Sequence, residues 1–279
     1  MNHLLRSLAP ISDAGWRLLD EEARQRLTPA LATRKLIDFS GPHGWEHSAT
    51  NLGRTEELES TTIDGVLGRR RRVLPLVELR ADFELSRAEL RDADRGADDI
   101  DLEPLDEAAM RIAQAENIAV FHGWAGVVSG IADSSPHEQE TLGDDPDAYP
   151  HHVAQAVERL LWSGIDGPYG LALGSEYYRR IVEAAERGGY PLVDHVKKIT
   201  DGPVVWAPGV NGAVLVSLRG GDFVFDSGQD LSIGYESHDN DAVRLYLEES
   251  FSFHVATPEA AIALSASKGR VQSRRRGRG

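Results

Sequence analysis

Apolar and polar residues alternate along the last third of the chain with almost no interruption. Over residues 243–255, Val243, Leu245, Leu247, Phe251, Phe253 and Val255 fall on one side, and Arg244, Tyr246, Glu248, Ser250, Ser252 and His254 on the other. A period of two predicts a strand with one buried face. At about 3.3 Å per residue it runs about 40 Å, twice the usual strand length. A second strand is predicted over 73–86, with Val77, Leu79, Ala81, Phe83 and Leu85 on one side. Strands this long suit elongated subunits that meet their neighbours edge to edge.

Elsewhere the period is helical. Ser12 and Asp13 are capping residues, and Trp16, Leu19, Ala23 and Leu27 follow at three- and four-residue steps until Pro29, which ends or kinks the helix. Pro104 opens the clearest helix, with Leu105, Ala108, Ile112, Ala115 and Ala119 on one stripe and Ala109, Ala113 and Val120 beside it. Small apolar residues on two faces predict a spine packed from more than one side. Residues 39–72 are polar and patternless, which predicts a long irregular loop ending on four arginines, Arg69, Arg70, Arg71 and Arg72. Residues 133–150 read as an acidic loop. Helices over 150–163 and 175–187, a 188–191 turn, a short helix to Ile199, and strands over 169–173, 203–207 and 213–218 make up a second α/β unit.

Charge and composition narrow the function. The 279 residues carry a net charge of −15, and six basic groups lie in the last twelve positions. Removing those six positive charges leaves −21 on residues 1–267, a body that repels nucleic acid. No apolar run approaches the roughly 20 residues of a membrane span, and the N-terminus does not read as a signal peptide. The absence of cysteine excludes disulfides, thiolate metal sites and a cysteine nucleophile.

Enzyme signatures are missing: no nucleophile elbow, phosphate-binding loop, zinc-protease helix or dinucleotide fingerprint occurs. His43 and His47 have a ligand-like spacing, but Gly41, Pro42 and Gly44 argue against a helix there, so they read as solvated or singly hydrogen-bonded. The acid runs near Asp98 and Asp144 lack the spacing of a calcium loop. Arg219, Asp222 and Asp230 are read as ion pairing and tight turns around Gly220, Gly221 and Gly228. No metal or cofactor is expected. The arginines at 69–72 are read as a match for an acidic surface on a neighbouring copy.

Several words then fall in order along the chain: LAPI (8–11), RKLID (34–38), GPHGWE (41–46), PLVELR (75–80), GPY (167–169), RGGDF (219–223), GQDLSIGY (228–235), LYLEESFSF (245–253) and TPEAA (257–261). In these words the chain resembles encapsulin shell proteins of the linocin type, from residue 1 to about residue 264. The resemblance implies an α+β tailed-phage major capsid protein fold. Its parts map as an N-terminal arm and interior helix (1–38), an extended loop (39–72), a peripheral domain with the spine helix (73–134), an axial domain (135–220) and a return to the peripheral domain (221–264). A disordered basic tail (265–279) follows.

By the same resemblance the chain is not an enzyme. It partners itself, sixty or more copies closing an icosahedral nanocompartment in the bacterial cytoplasm, with no specific nucleic acid and no membrane. The compartment encloses a cargo enzyme, such as a dye-decolourising peroxidase or a ferritin-like protein, recruited by a C-terminal peptide. The implied cargo site comprises Leu31, Arg34, Ile37, Asp38, Asp230 and Ile233. The implied pore lining is Glu186, Arg187, Gly188, Gly189 and Tyr190. A phage or prophage capsid protein is the rival reading, and an enzyme or bacteriocin with its own activity is a more distant one.

Overall fold

The computed structural model describes residues 3–58, 63, 65–143, 145–185 and 189–265. Ser12 caps α1 (Asp13–Ala30), its Oγ accepting the Gly15 N–H at 2.9 Å, and Trp16, Leu19, Ala23 and Leu27 form its buried face. Pro29 lies inside the last turn and the helix stops one residue later. A short α2 (Thr33–Leu36) leads into β1 (Asp38–Ser40).

The patternless stretch is not an irregular loop. It contains β2 (Ala49–Glu57), which pairs antiparallel with β3 (Arg69–Pro75) to make a two-stranded arm. Almost every position of both strands is exposed or half-exposed, so neither face required an apolar pattern. Arg69 and Arg70 pair across the arm with Glu57 and Glu56, within their own chain. The strand predicted over 73–86 divides at Leu76. Pro75 has no N–H to extend the ladder, and the Leu76 N–H turns to the Ser48 carbonyl at 3.0 Å. Beyond it, β4 (Val77–Ser86) takes a different partner. Then follow α3 (Arg87–Asp94) and the spine α4 (Glu103–Phe121), with Pro104 in its first turn.

The second unit is built from α5 (Ile131–Ser134), β5 (Glu140–Thr141), α6 (Tyr149–Trp162), β6 (Tyr169–Leu173), α7 (Ser175–Glu183), α8 (Leu192–Thr200), β7 (Val204–Trp206) and β8 (Ala213–Ser217). Every residue of β6 and β8 is buried. The helix predicted over 175–187 ends at Glu183, and Ala185 forms a bridge to Pro191 instead.

The chain then returns through β9 (Phe223–Ser227), β10 (Ser232–His238) and the fourteen-residue β11 (Ala242–Val255). Along one edge β11 pairs with β4. Along the other it pairs first with β10 and then with β9, which lie end to end, and β1 adds parallel to β9. Residues 221–264, expected as one return to the peripheral part, divide. The final strand β12 (Ala261–Ser265) joins the second sheet, ordered β5-β12-β8-β6-β7.

Two apolar cores result. One lies among α1, α3, the first half of α4, β4, β10 and β11; the other fills the second sheet and its helices. The spine serves both, with Leu105, Ala108 and Ile112 in the first and Ala119, Val120 and Phe121 in the second. The polar side of β11 is not left to solvent: Tyr246, Glu248, Ser250 and Ser252 are buried as well as the apolar side.

Candidate functional site

A groove of about 710 Å³ runs between the second half of α1 and the turn joining β9 to β10. Leu27, Leu31, Ile233 and Leu247 give it an apolar floor, and Arg6, Asp20, Arg24, Lys35 and Asp230 give it a charged rim. Its far end is closed by the N-terminal segment. Arg6 donates to the Ile233 carbonyl at 2.7 Å and clasps Asp20 with both terminal nitrogens, while the Tyr235 N–H donates to the Leu4 carbonyl. Lys35 donates to the Pro29 carbonyl at 2.9 Å, and burial lowers its ammonium below the ordinary value.

One guanidinium organises the near end. Arg34 Nε donates to Glu116 at 3.1 Å, one terminal nitrogen to Asp230 at 2.5 Å and the other to Glu249 at 2.9 Å. Its plane also lies over Phe39 and Phe225, 5.3 and 5.8 Å from the ring centres. Glu116 and Glu249 are buried, and Oε1 of each lies outside the hydrogen bonds that Arg34 makes to the pair. Burial raises both carboxyls. Glu249 is driven well above its usual value, reinforced by the charge of Glu116. Of the two, Glu249 is the carboxyl whose surroundings most favour its keeping a proton. Burial opposes the charge on Arg34, but the acidic groups of Glu116, Glu249 and Asp230 around it outweigh that and raise its pKa.

Of the six residues implied for the cargo site, Leu31, Arg34, Asp230 and Ile233 line this groove. Ile37 is buried in the second core, and Asp38 is turned to the other side, accepting the Gly221 N–H at 2.5 Å. Both line a separate, smaller cleft. Arg219 pairs bidentately with Asp222 at 2.8 and 2.9 Å, so Asp230 belongs to Arg34 and not to that pair. Of the pore residues, Glu186, Arg187 and Gly188 lie outside the described residues. Gly189 has φ 83° and Tyr190 stacks beneath Lys198 at 4.7 Å.

Glu116 and Glu249 were missed by sequence reading, although Glu249 carried a signal. Glu249 occupies an inward position of β11, between Leu247 and Phe251, and is the one polar break in that side's alternation. A carboxylate placed there demands a buried cation.

His43 and His47 come together without a helix. Their rings are 4.7 Å apart, and their Nε2 atoms reach opposite oxygens of Asp226 on β9, at 2.8 and 3.2 Å. Thr50 Oγ1 also donates to that carboxylate. Burial pushes Asp226 up, but the hydroxyls and imidazoles around it more than offset this and hold it below the usual carboxylate range.

Comparison with solved structures defines the class. The virus-like particle from Pyrococcus furiosus superposes with a TM-score of 0.62 at 17% identity, covering 90% of this chain and 99% of that one. The capsid of Myoviridae phage XM1 gives 0.50 at 9%, covering 82% and 90%. At such identities the likeness shows the fold, that of capsid-forming shell subunits. Sequence relatives then narrow it. The chain is 48% identical over 270 residues to the type 1 encapsulin shell protein of Rhodospirillum rubrum, covering 95% of this chain and 96% of the relative. It is 40% identical over 266 residues to that of Mycobacterium tuberculosis, covering 95% and 100%. The linocin family model, described as an encapsulating protein for peroxidase, matches residues 1–252. The chain belongs to the encapsulin family of shell proteins. Its role is structural rather than enzymatic. No helix of the described residues is long and apolar enough to cross a membrane.

Proposed function

We propose that the chain closes, with many copies of itself, into an icosahedral compartment that holds a cargo enzyme by a C-terminal peptide docked in the groove beside α1. The groove carries this reading. Its apolar floor suits the anchoring side chains of an extended peptide, and its charged rim suits a peptide backbone and a terminal carboxylate. Arg34 fixes the rim and does not itself reach for the peptide, since Glu116, Asp230 and Glu249 engage all three of its nitrogens. Ile37 and Asp38, away from the groove, support its wall from behind. The arm supports assembly. An isolated two-stranded hairpin is marginal in water, and this one exposes Leu58, Ile63, Val66 and Leu67. A neighbouring subunit covers them. The stretch from Glu186 to Tyr190, of which Gly189 and Tyr190 are described, lines a pore at a symmetry axis, and the compartment is cytoplasmic. A peroxidase or ferritin-like enzyme is the cargo class that the family favours.

Filling the groove without disturbing the core tests the docking. Thr28 lines it, is exposed, and donates only to the Arg24 carbonyl. Shells carrying Thr28→Trp, purified from the native host, should form at normal yield and lack the protein that co-purifies with the unaltered shell. Deleting the C-terminal peptide of that protein should give the same loss. Cargo retained at full stoichiometry in Thr28→Trp shells would overturn the assignment of the groove.

A further inference from the structure

The histidine cluster at the root of the arm has no part in the groove or in cargo capture. His43 and His47 belong to the segment that leaves β1 and enters β2, and Asp226 belongs to β9. That segment is clipped along the end of β9. The His43 N–H donates to the Ser227 carbonyl at 2.9 Å, and the Gly44 N–H donates to the Gly228 carbonyl at 2.8 Å. Gly41 makes the approach possible: at φ +104°, a Cβ there would stand 2.4 Å from the Ser227 carbonyl oxygen. The backbone thus fixes where both imidazoles stand before any ion arrives.

We propose that His43 Nε2, His47 Nε2 and the Asp226 carboxylate bind one divalent transition-metal ion, with zinc the ion their chemistry fits. The three donor atoms lie within 4.8 Å of one another, and this is the one such group among the described residues. Zinc takes nitrogen and carboxylate oxygen at about 2.0–2.2 Å, which sets neighbouring donors in a tetrahedron about 3.3 Å apart. The two nitrogens stand 2.8 and 3.2 Å from opposite oxygens of the Asp226 carboxylate, so a small rotation of each ring lets both nitrogens and the carboxylate face one ion. Two imidazoles with one carboxylate disfavour calcium and magnesium, which take oxygen ligands. Thr50 Oγ1 orients the carboxylate from behind and is itself 2.5 Å from Ser252 Oγ, the kind of outer support that metal-ligating carboxylates have. His43 is 42% exposed, so the fourth position opens to water; the Ser40 hydroxyl, 3.2 Å from His43 Nε2, borders it.

The ion would join the chain entering the arm to the first sheet. It therefore fixes the angle at which the arm leaves the body, which in an assembled shell is the angle at which one subunit reaches the next. This inference stands whether or not the groove holds a peptide.

Zinc itself is the probe. Intact shells stripped with chelator and dialysed are titrated with zinc by calorimetry, and bound metal is counted by mass spectrometry. One equivalent per chain is expected at micromolar zinc, falling to none in the His43→Ala, His47→Ala double variant. Should that variant not assemble, His47→Gln, which keeps a polar side chain at the position, serves instead. Cobalt loaded into the unaltered shell should then give the visible absorption of a four-coordinate site, and this absorption should be absent in His47→Gln. His152→Ala, distant in the fold, should keep the full equivalent. No stoichiometric uptake by the unaltered shell, or equal uptake in His47→Gln, overturns the site.

Discussion

Replacing Arg34 by methionine removes the cation that faces Glu116 and Glu249 while keeping most of the side chain's length. Both carboxyls are buried, so neither can turn to water. Breaking a buried ion pair from one side costs about 3–5 kcal/mol. At about 2–4 °C per kcal/mol for chains near this size, the loss lowers the unfolding temperature by on the order of 10 °C at pH 8. The cost also depends on pH, and its sign follows from the raised carboxyls. The native state keeps protons that the unfolded chain has already released above the ordinary glutamate range, so stability falls as pH rises through that window. Without Arg34 the carboxyls hold their protons more tightly, and the window widens. The deficit of Arg34→Met should therefore be largest at pH 8 and less than half as large at pH 5. Glu249→Gln supplies permanently the donor that a protonated Glu249 provides, so it should cost about 1 kcal/mol or less and flatten the pH dependence. Scanning fluorimetry on intact shells at one protein concentration measures all three. An equal deficit at both pH values, or a Glu249→Gln shell as unstable as Arg34→Met, would refute the proton-sharing account.

Asp239 accepts from the Asp241 and Ala242 N–H groups at 2.9 and 3.0 Å and from Arg244, and these bonds hold its pKa at about 2. Its contribution to the β10–β11 turn should be complete above the ordinary aspartate range and lost as pH falls toward 2; Asp239→Asn should remove that acid dependence in amide exchange at Ala242. Trp162 is 84% exposed, beside the half-exposed Leu161. Trp162→Ala should change the subunit's own stability by less than about 0.5 kcal/mol yet raise the concentration needed for shell formation, which sedimentation measures; unchanged assembly would show that this face is free in the shell.

The parts of the fold that were legible in the sequence are those whose burial is periodic along the chain. The faces of α1 and α4 and the apolar side of β11 each read directly from spacing. The arm did not, because a hairpin exposed on both faces needs no apolar period, and the break at Leu76 depends on which strand each half pairs with. Half of the groove was legible through the words containing Arg34, Asp230 and Ile233, which a resemblance supplied and geometry brings together. Ile37 and Asp38 sit in the same words, but the turn from α2 into β1 carries them to the opposite side. In the His43–His47–Asp226 group the histidine spacing was visible but set aside, and the third member was not visible, since it lies 179 residues beyond His47 and arrives through the parallel pairing of β1 with β9.

The central position of β11 has a consequence for synthesis. β11 follows β1, β4, β9 and β10 in the chain, yet it is the strand against which β4, β9 and β10 all pair. A ribosome emits the N-terminal part first, so α1, the arm and α4 emerge while the strand that will close their sheet is still being translated. Until residues 242–255 are out, Glu249 is not there to meet Arg34, and Leu247 is not there to floor the groove. Nascent chains short of that point can form the arm but have neither a completed first sheet nor a groove to occupy. A subunit with its first sheet closed and its groove complete is thereby reserved for chains whose translation has passed β11, a condition written into strand order.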